Sequence, residues 1–434
     1  MKRNMAVVCL VSVLTVGIPI LVLADAANSP PTTSSSEPDW KKMYEDQKQI
    51  NEEQKKTNNA LERRLSLLED RSTGDVFVVK ADIPDSTIAF LKQTEINGYV
   101  SSSYFYNFNH PGDHLNTGRG FDVRSDEFMA NKLVVRFDKP VDYSAFDWKA
   151  GYTAKLIFGQ DAEFTQAQGL SLGNQGDLFE ANLTVNVPIG NGLKVMLGKC
   201  GTPMGYESTF TEENFNWSGG NQWTFFEPFT HTGVMLSYQL TPELEIKTMV
   251  MNGWDVVADN NHGKSFMGTA TYTMNDKTSM ALTGYGGPEQ DGNSSNWRKG
   301  VDAWIDQKWS PKVETVAQLD YGAESGADAN GGTAEWWGIG GWLVYTLNDK
   351  WNVATRADYI RDADGVRTSG SPSLAPFPTV DRQELTSVTL TLNFKPVDGL
   401  RIAPEFRWDH SSFNTAFDGY DSQVTIGMGA AYSY

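Results

Sequence analysis

The sequence predicts an all-β fold, an antiparallel transmembrane β-barrel of about sixteen strands preceded by a short periplasmic α-helical coiled coil. Three observations carry that expectation. From residue 96 to the C-terminus, segments of roughly ten residues alternate apolar and polar side chains, the period of a strand whose two faces meet different surroundings. The connections between segments alternate between tight and long. The composition is polar yet aromatic, with 40% hydrophobic and 12% aromatic residues in 434. A mean hydropathy of -0.41 excludes a bundle of membrane helices, each needing roughly 20 apolar residues, and the aromatic content excludes disorder over most of the length.

The elements follow from the N-terminus. Lys2 and Arg3 precede an apolar run from Met5 to Leu23 that ends in Ala24-Asp25-Ala26, which reads as a secretory signal peptide over residues 1–26. An uncleaved anchor fits less well, because the run is short and broken by Pro19. Cys9 leaves with the signal, so Cys200 stands alone and no intrachain disulfide or cysteine-built zinc site is available. Residues 27–39 have the composition of a flexible linker. Residues 40–71 lack Gly and Pro and fit a heptad with Tyr44, Asn51, Asn58 and Leu65 at one core position and Trp40, Gln47, Gln54, Leu61 and Leu68 at the other. A coiled-coil stalk that gathers three chains is the favoured reading, and a solvated single helix the bland one. Residues 72–95 form a connector, with Asp85-Ser86 placed to cap a short helix over Thr87 to Gln93. Barrel strands are expected to begin near Ile96, Phe128, Asp147, Asp177, Gly192, Thr230, Glu243, Gly263, Lys277, Trp297, Lys312, Thr333, Lys350, Glu384, Gly399 and Ser422.

Charge narrows the partners. Residues 1–36 carry Lys2, Arg3 and Asp25, and residues 37–71 carry eight basic and nine acidic side chains, so the net charge of -18 resides in residues 72–434. An acidic chain without Lys/Arg clusters argues against nucleic acid as a partner. Val388, Leu390, Leu392 and Phe394 alternate with Ser387, Thr389, Thr391 and Asn393, and Val424 to Tyr434 alternate likewise. A soluble sandwich would turn the apolar face inward, whereas an outer-membrane barrel turns it to lipid. Tight links at Thr241-Pro242, Asn275-Asp276, Ser310-Pro311, Asn348-Asp349 and Pro396 to Asp398, with long links between them, favour the barrel. Trp148, Trp309, Trp351, Trp408, Tyr345, Tyr359 and Tyr432 fall near strand ends on the apolar face, where interfacial girdles belong. Tyr432 and Tyr434 end the last strand and are expected to serve as its signal to the barrel-assembly machinery.

The longest interruption, about residues 201–227, follows the fifth strand. A loop this long without regular structure is usually functional. It resembles the loop that folds into the lumen of sixteen-stranded trimeric porins, and that resemblance places Glu207, Glu212 and Glu213 at a constriction. Strand parity turns Lys132, Arg136, Lys149, Lys155, Arg356, Arg401 and Arg407 inward, so opposed acidic and basic walls with a transverse field are expected. Asn97 to Val100 with Tyr106 to Asn109, Gly205 to Glu207 with Asn214 to Ser218, Pro228 to Val234, and Val250 to Asp255 with Asp259 to Asn261 resemble the OmpL-like β-barrel porins. The resemblance implies an outer-membrane porin of a Gram-negative-type bacterium with no enzyme activity and no cofactor.

Other chemistry reads poorly. His110 and His114 are four apart, but Pro111-Gly112 keeps them off one helical face, so no metal site is expected. Asp362 to Gly365 and Asp255 to Asn261 lack the spacing of a calcium loop. Nucleophile elbow, phosphate loop and cysteine-histidine arrangements are absent. The expectation is a homotrimeric pore in outer-membrane lipid that passes small hydrophilic solutes with modest cation preference. The alternative is a structural protein whose coil reaches peptidoglycan while the barrel is largely plugged. An enzyme built on a barrel wall is a distant third.

Overall fold

The computed structural model describes residues 92–369, 377 and 382–434. The signal, linker, coiled coil and most of the connector lie outside the described residues, and of the residues expected to form a short helix over Thr87 to Gln93 only Lys92 and Gln93 are described, both helical.

Sixteen strands form one closed antiparallel barrel in which each pairs with its neighbours in chain order and the first pairs with the last. They are β1 (Glu95–Asn107), β2 (Glu127–Lys139), β3 (Lys149–Phe158), β4 (Gly176–Val187), β5 (Leu193–Gly201), β6 (Thr230–Gln239), β7 (Leu244–Met251) and β8 (Ser265–Thr273). The second half comprises β9 (Thr278–Gln290), β10 (Asn293–Ser310), β11 (Val313–Glu324), β12 (Ala334–Asn348), β13 (Trp351–Asp362), β14 (Gln383–Phe394), β15 (Leu400–Ser411) and β16 (Ser422–Ser433). Two short helices interrupt the loops, α1 (Ala162–Thr165) and α2 (Asn221–Phe226).

Alternation decides which face is which. Leu183 and Leu197 are 62% and 59% exposed on the outside, while inward neighbours such as Arg356 and Thr389 are fully buried. An outer surface of Leu, Ile, Val and Phe around a polar inner wall is stable only where lipid covers it. Trp148, Trp309, Tyr345 and Tyr432 stand exposed at the outer ends of strands, as interfacial anchors do.

One connection departs from the expected pattern. β10 begins at Asn293 rather than near Trp297, so β9 and β10 are joined by Asp291-Gly292 alone. Gly292 has φ +67°, a left-handed conformation that glycine adopts without steric cost in a tight turn. Residues 293–296 are polar on both faces, so alternation gives no warning that they belong to a strand. The register slips between Asn293 and Trp297, and normal pairing resumes at Trp297 opposite Pro288.

Three apolar clusters form inside the barrel. One joins Phe121, Phe164, Phe179, Phe210, Trp217 and Trp223 with wall residues including Tyr99 and Ala431. A second holds Phe225, Phe226, Trp336 and Phe377. The third is dominated by methionine. The lumen is therefore a packed interior over much of its cross-section, filled chiefly by the loop between β5 and β6.

Candidate functional site

That loop, residues 202–229, turns into the lumen, and its irregular backbone needs hydrogen-bond partners away from bulk water. The wall supplies them. Arg356 donates to the Ser218 carbonyl at 2.6 Å and to the Gly219 carbonyl at 3.2 Å. Arg407 donates to Gly219 O at 2.6 Å and to Asn221 Oδ1 at 3.1 Å. Arg401 takes Thr211 O at 2.7 Å and Phe215 O at 3.1 Å. Glu405 acts with the opposite sign, accepting the amides of Trp217 at 2.7 Å and Ser218 at 3.1 Å and the Thr391 hydroxyl at 2.7 Å. Glycines in the wall make the close approach possible. A side chain at Gly429 would lie 2.0 Å from the Trp217 ring, and one at Gly340 would lie 2.3 Å from the Gln222 amide.

The expected carboxylates and bases therefore meet instead of facing each other across water. Glu207 binds Arg356 at 2.6 Å and accepts the Gly220 amide at 2.6 Å, with both partners buried. Arg136 pairs with Glu212 at 2.8 Å and Glu213 at 3.0 Å and lies over the Phe210 ring. Lys132 is buried, with its ammonium 3.1 Å from the Thr209 carbonyl, 3.4 Å from Asp161 and over the Phe121 ring. Lys155 pairs with Glu180 of the wall at 2.9 Å. Lys149, at the start of β3, is half-buried and near enough to Lys194 to repel it. Of the ten lumen charges expected from sequence, only Lys149 has no ion-pair or loop contact described above. The transverse field is thus replaced, over most of this wall, by a clamp. The physical reason is distance: a loop lying on the wall neutralises its bases by contact.

Three acids were not foreseen. Glu227 at the far end of the loop, Asp302 on β10 and Asp320 on β11 are buried with oxygens within 4.8 Å of one another, and no salt bridge reaches any of them among the described residues. Asp302 and Asp320 are direct cross-strand partners. The Gln318 amide nitrogen lies 2.5 Å from Glu227, 2.9 Å from Asp302 and 3.3 Å from Asp320, so its two hydrogens are shared among the three acids. Burial first, and then the charges of Asp320 and Asp302, hold the Glu227 carboxyl well above the usual carboxylate range. Burial likewise raises Glu212, against the opposing pull of Arg136.

Open space remains where the loop does not touch the wall. A cavity of about 620 Å³ lies between residues 200–210 and the inner faces of β3 to β7. Its charged lining includes Lys155, Lys194, Lys247, Glu180, Glu213 and Glu245. Lys247 and Glu245 pair at 3.1 Å, and Lys194 lies 4.0 Å from the centre of the Tyr143 ring. Further around the wall, Asp306 accepts from the Tyr206 hydroxyl at 3.3 Å, and Glu314 of β11 lies close enough to Asp306 to be repelled by it.

Comparison with known proteins agrees with this architecture. The profile of the family described as "Putative beta-barrel porin-2, OmpL-like" matches residues 93–434. No curated protein matches the sequence. Among solved structures, OmpT of Vibrio cholerae superposes with a TM-score of 0.51 at 12% identity, covering 79% of this chain and 97% of that one. An anion-selective porin from Comamonas acidovorans gives 0.51 at 10% identity, covering 79% of this chain and 99% of the other. OprB of Pseudomonas putida gives 0.50 at 11% identity, with 81% and 96% covered. At such identities the likeness concerns the fold alone. The family match spans the whole barrel, and on that ground the chain belongs to the OmpL-like beta-barrel porin-2 family and is an outer-membrane porin.

Proposed function

We propose that the protein passes small hydrophilic solutes and ions passively beside its inward loop, with modest preference for cations. The cavity on the β3 to β7 side of the loop carries this reading, because there polar side chains of the wall and the loop line open space inside the barrel. Cation preference is argued from the -18 that resides beyond residue 71. Trimerisation is argued from the heptads of residues 40–71 and from the trimer form recorded for OmpT of Vibrio cholerae. The signal peptide, the periplasmic stalk and recognition of Tyr432 and Tyr434 by the assembly machinery belong to the same proposal.

Reconstitution in planar bilayers tests it. Conductance steps with a cation-signed reversal potential in a salt gradient are expected. Absence of steps overturns the channel, and an anion-signed potential overturns the preference.

One observation favours a second reading. Arginine and aromatic contacts hold the loop firmly against β12 to β16, as a plug would be held. In that reading residues 40–71 tether the envelope to peptidoglycan. Deleting them leaves permeability intact and abolishes envelope attachment if the tether is the principal role.

A further inference from the structure

The third apolar cluster differs from the other two in its chemistry. The clusters built around Trp217 and around Phe226 are aromatic and aliphatic and contain no methionine among their buried members. The third gathers Met196, Met204, Met235, Met249, Met251 and Met267 with Cys200, which is six of the chain's 13 methionines. Four of them form a line. Met196 of β5 is the direct cross-strand partner of Met235 of β6, Met235 of Met249 of β7, and Met249 of Met267 of β8. Four consecutive strands thus present a thioether inward at one height.

The adjoining row shows how local this is. One step nearer the short-turn rim, the same strands and β9 present Lys194, Ser237, Lys247, Thr269 and Thr283, all polar. Met196, Met204, Met235 and Cys200 line the open cavity, so part of the row faces space that a solute can enter.

Packing alone does not require this choice, because the loop is packed elsewhere with Phe and Trp. Thioether sulfur is uncharged and polarisable, a poor ligand for potassium or magnesium and a good one for soft monovalent metal ions. Directly opposed side chains on neighbouring strands have Cβ atoms roughly 5 Å apart, and the three rotatable bonds of methionine let two sulfurs converge on one ion without moving the backbone. Met204 of the loop and Cys200 near the end of β5 add further sulfur donors. If the Cys200 thiol joins the shell, its proton leaves to solvent as the sulfur–metal bond forms, and Lys247 and Lys155 are the bases close enough to act on that negative charge.

We propose that the row Met196–Met235–Met249–Met267, with Met204 and Cys200, is a binding site for a soft monovalent metal ion of the copper(I) or silver(I) class. This goes beyond the channel reading and does not depend on conduction.

Silver(I) is the probe, since it needs no reductant. The full chain, folded in detergent and nitrate buffer, is dialysed against micromolar silver, and the metal retained per chain is measured. Retention by the wild type is expected. Met235→Leu with Met249→Leu keeps the apolar volume and removes the two central sulfurs, and its affinity should fall by at least about tenfold. Met274→Leu with Met428→Leu, on exposed outer positions, should change nothing. X-ray absorption on the silver-loaded wild type supplies an answer even if the inner variant does not fold, and a shell of two or more sulfurs is expected. No retained silver, equal retention by the inner variant, or a shell with a single sulfur overturns the proposal.

Discussion

The two sides of the lumen use the same inward alternation for different ends. From β12 to β16 the wall is spent on the loop: Arg356, Arg401, Arg407 and Glu405 saturate its backbone, and glycines accept its bulky rings. From β3 to β7 the wall borders open space, with lysines in one row and methionines in the next. A lumen charge therefore has no fixed meaning by itself. Where a loop covers it, it is structural; where the cavity reaches it, it lines open space.

Breaking the clamp should give the largest effect. Arg356→Met leaves Glu207 buried without its cation, which costs about 3–5 kcal/mol of loop docking. Faster hydrogen exchange across residues 205–220 and larger, noisier conductance are expected, and Glu207→Gln in the same chain should restore part of the loss. Glu405→Gln removes the charge that receives two loop amides and should cost about 1.5–3 kcal/mol, read in the same exchange experiment.

A pH scan sharpens the contrast from the loops. Burial pushes the Asp255 carboxyl, which accepts the Phe229 and Thr230 amides at the end of the inward loop, up to about 6 from 3.8. Burial also raises Asp161 to about 6, against the pull of Lys132. Folding therefore favours the neutral acid at both sites. Their stabilisation is complete below about pH 4 and is lost as pH rises through about 6. Amide exchange at Phe229 and Thr230, corrected for its intrinsic pH dependence, should accelerate across that window, and Asp255→Asn should flatten the response.

Beside the open side, on β2 and at the start of β3, the effects are smaller and concern selectivity. Arg136→Ala breaks partly exposed pairs with Glu212 and Glu213, costs about 1 kcal/mol or less, and should move the reversal potential towards cations. Lys149→Ala, at the mouth of the barrel, should shift it least. An unchanged reversal potential in both variants would show that Arg136 and Lys149 do not face the conducting path.

Much of the barrel was legible because its period is two. The expected strand starts lie within two residues of the observed ones except at β10, where Asn293 to Asn296 present no apolar face to count. Parity brought Arg356, Arg401 and Arg407 inward correctly, since one strand suffices for that. Their roles were not legible, because they depend on where a distant loop runs. The Asp302–Asp320 pair and the methionine row were hidden for a related reason. Each strand contributes one or two members, and only the register across neighbours brings them to one height.

Pairing of the first strand with the last carries a consequence for biogenesis. Tyr99 lies opposite Ser433, so the seam joins residues separated by nearly the whole barrel sequence. Until the final residues of β16 arrive, β1 and the growing edge display unpaired amides and carbonyls that any other extended chain can capture. A truncation of β16 alone should therefore leave fifteen strands with an open edge and an aggregation-prone, protease-sensitive product.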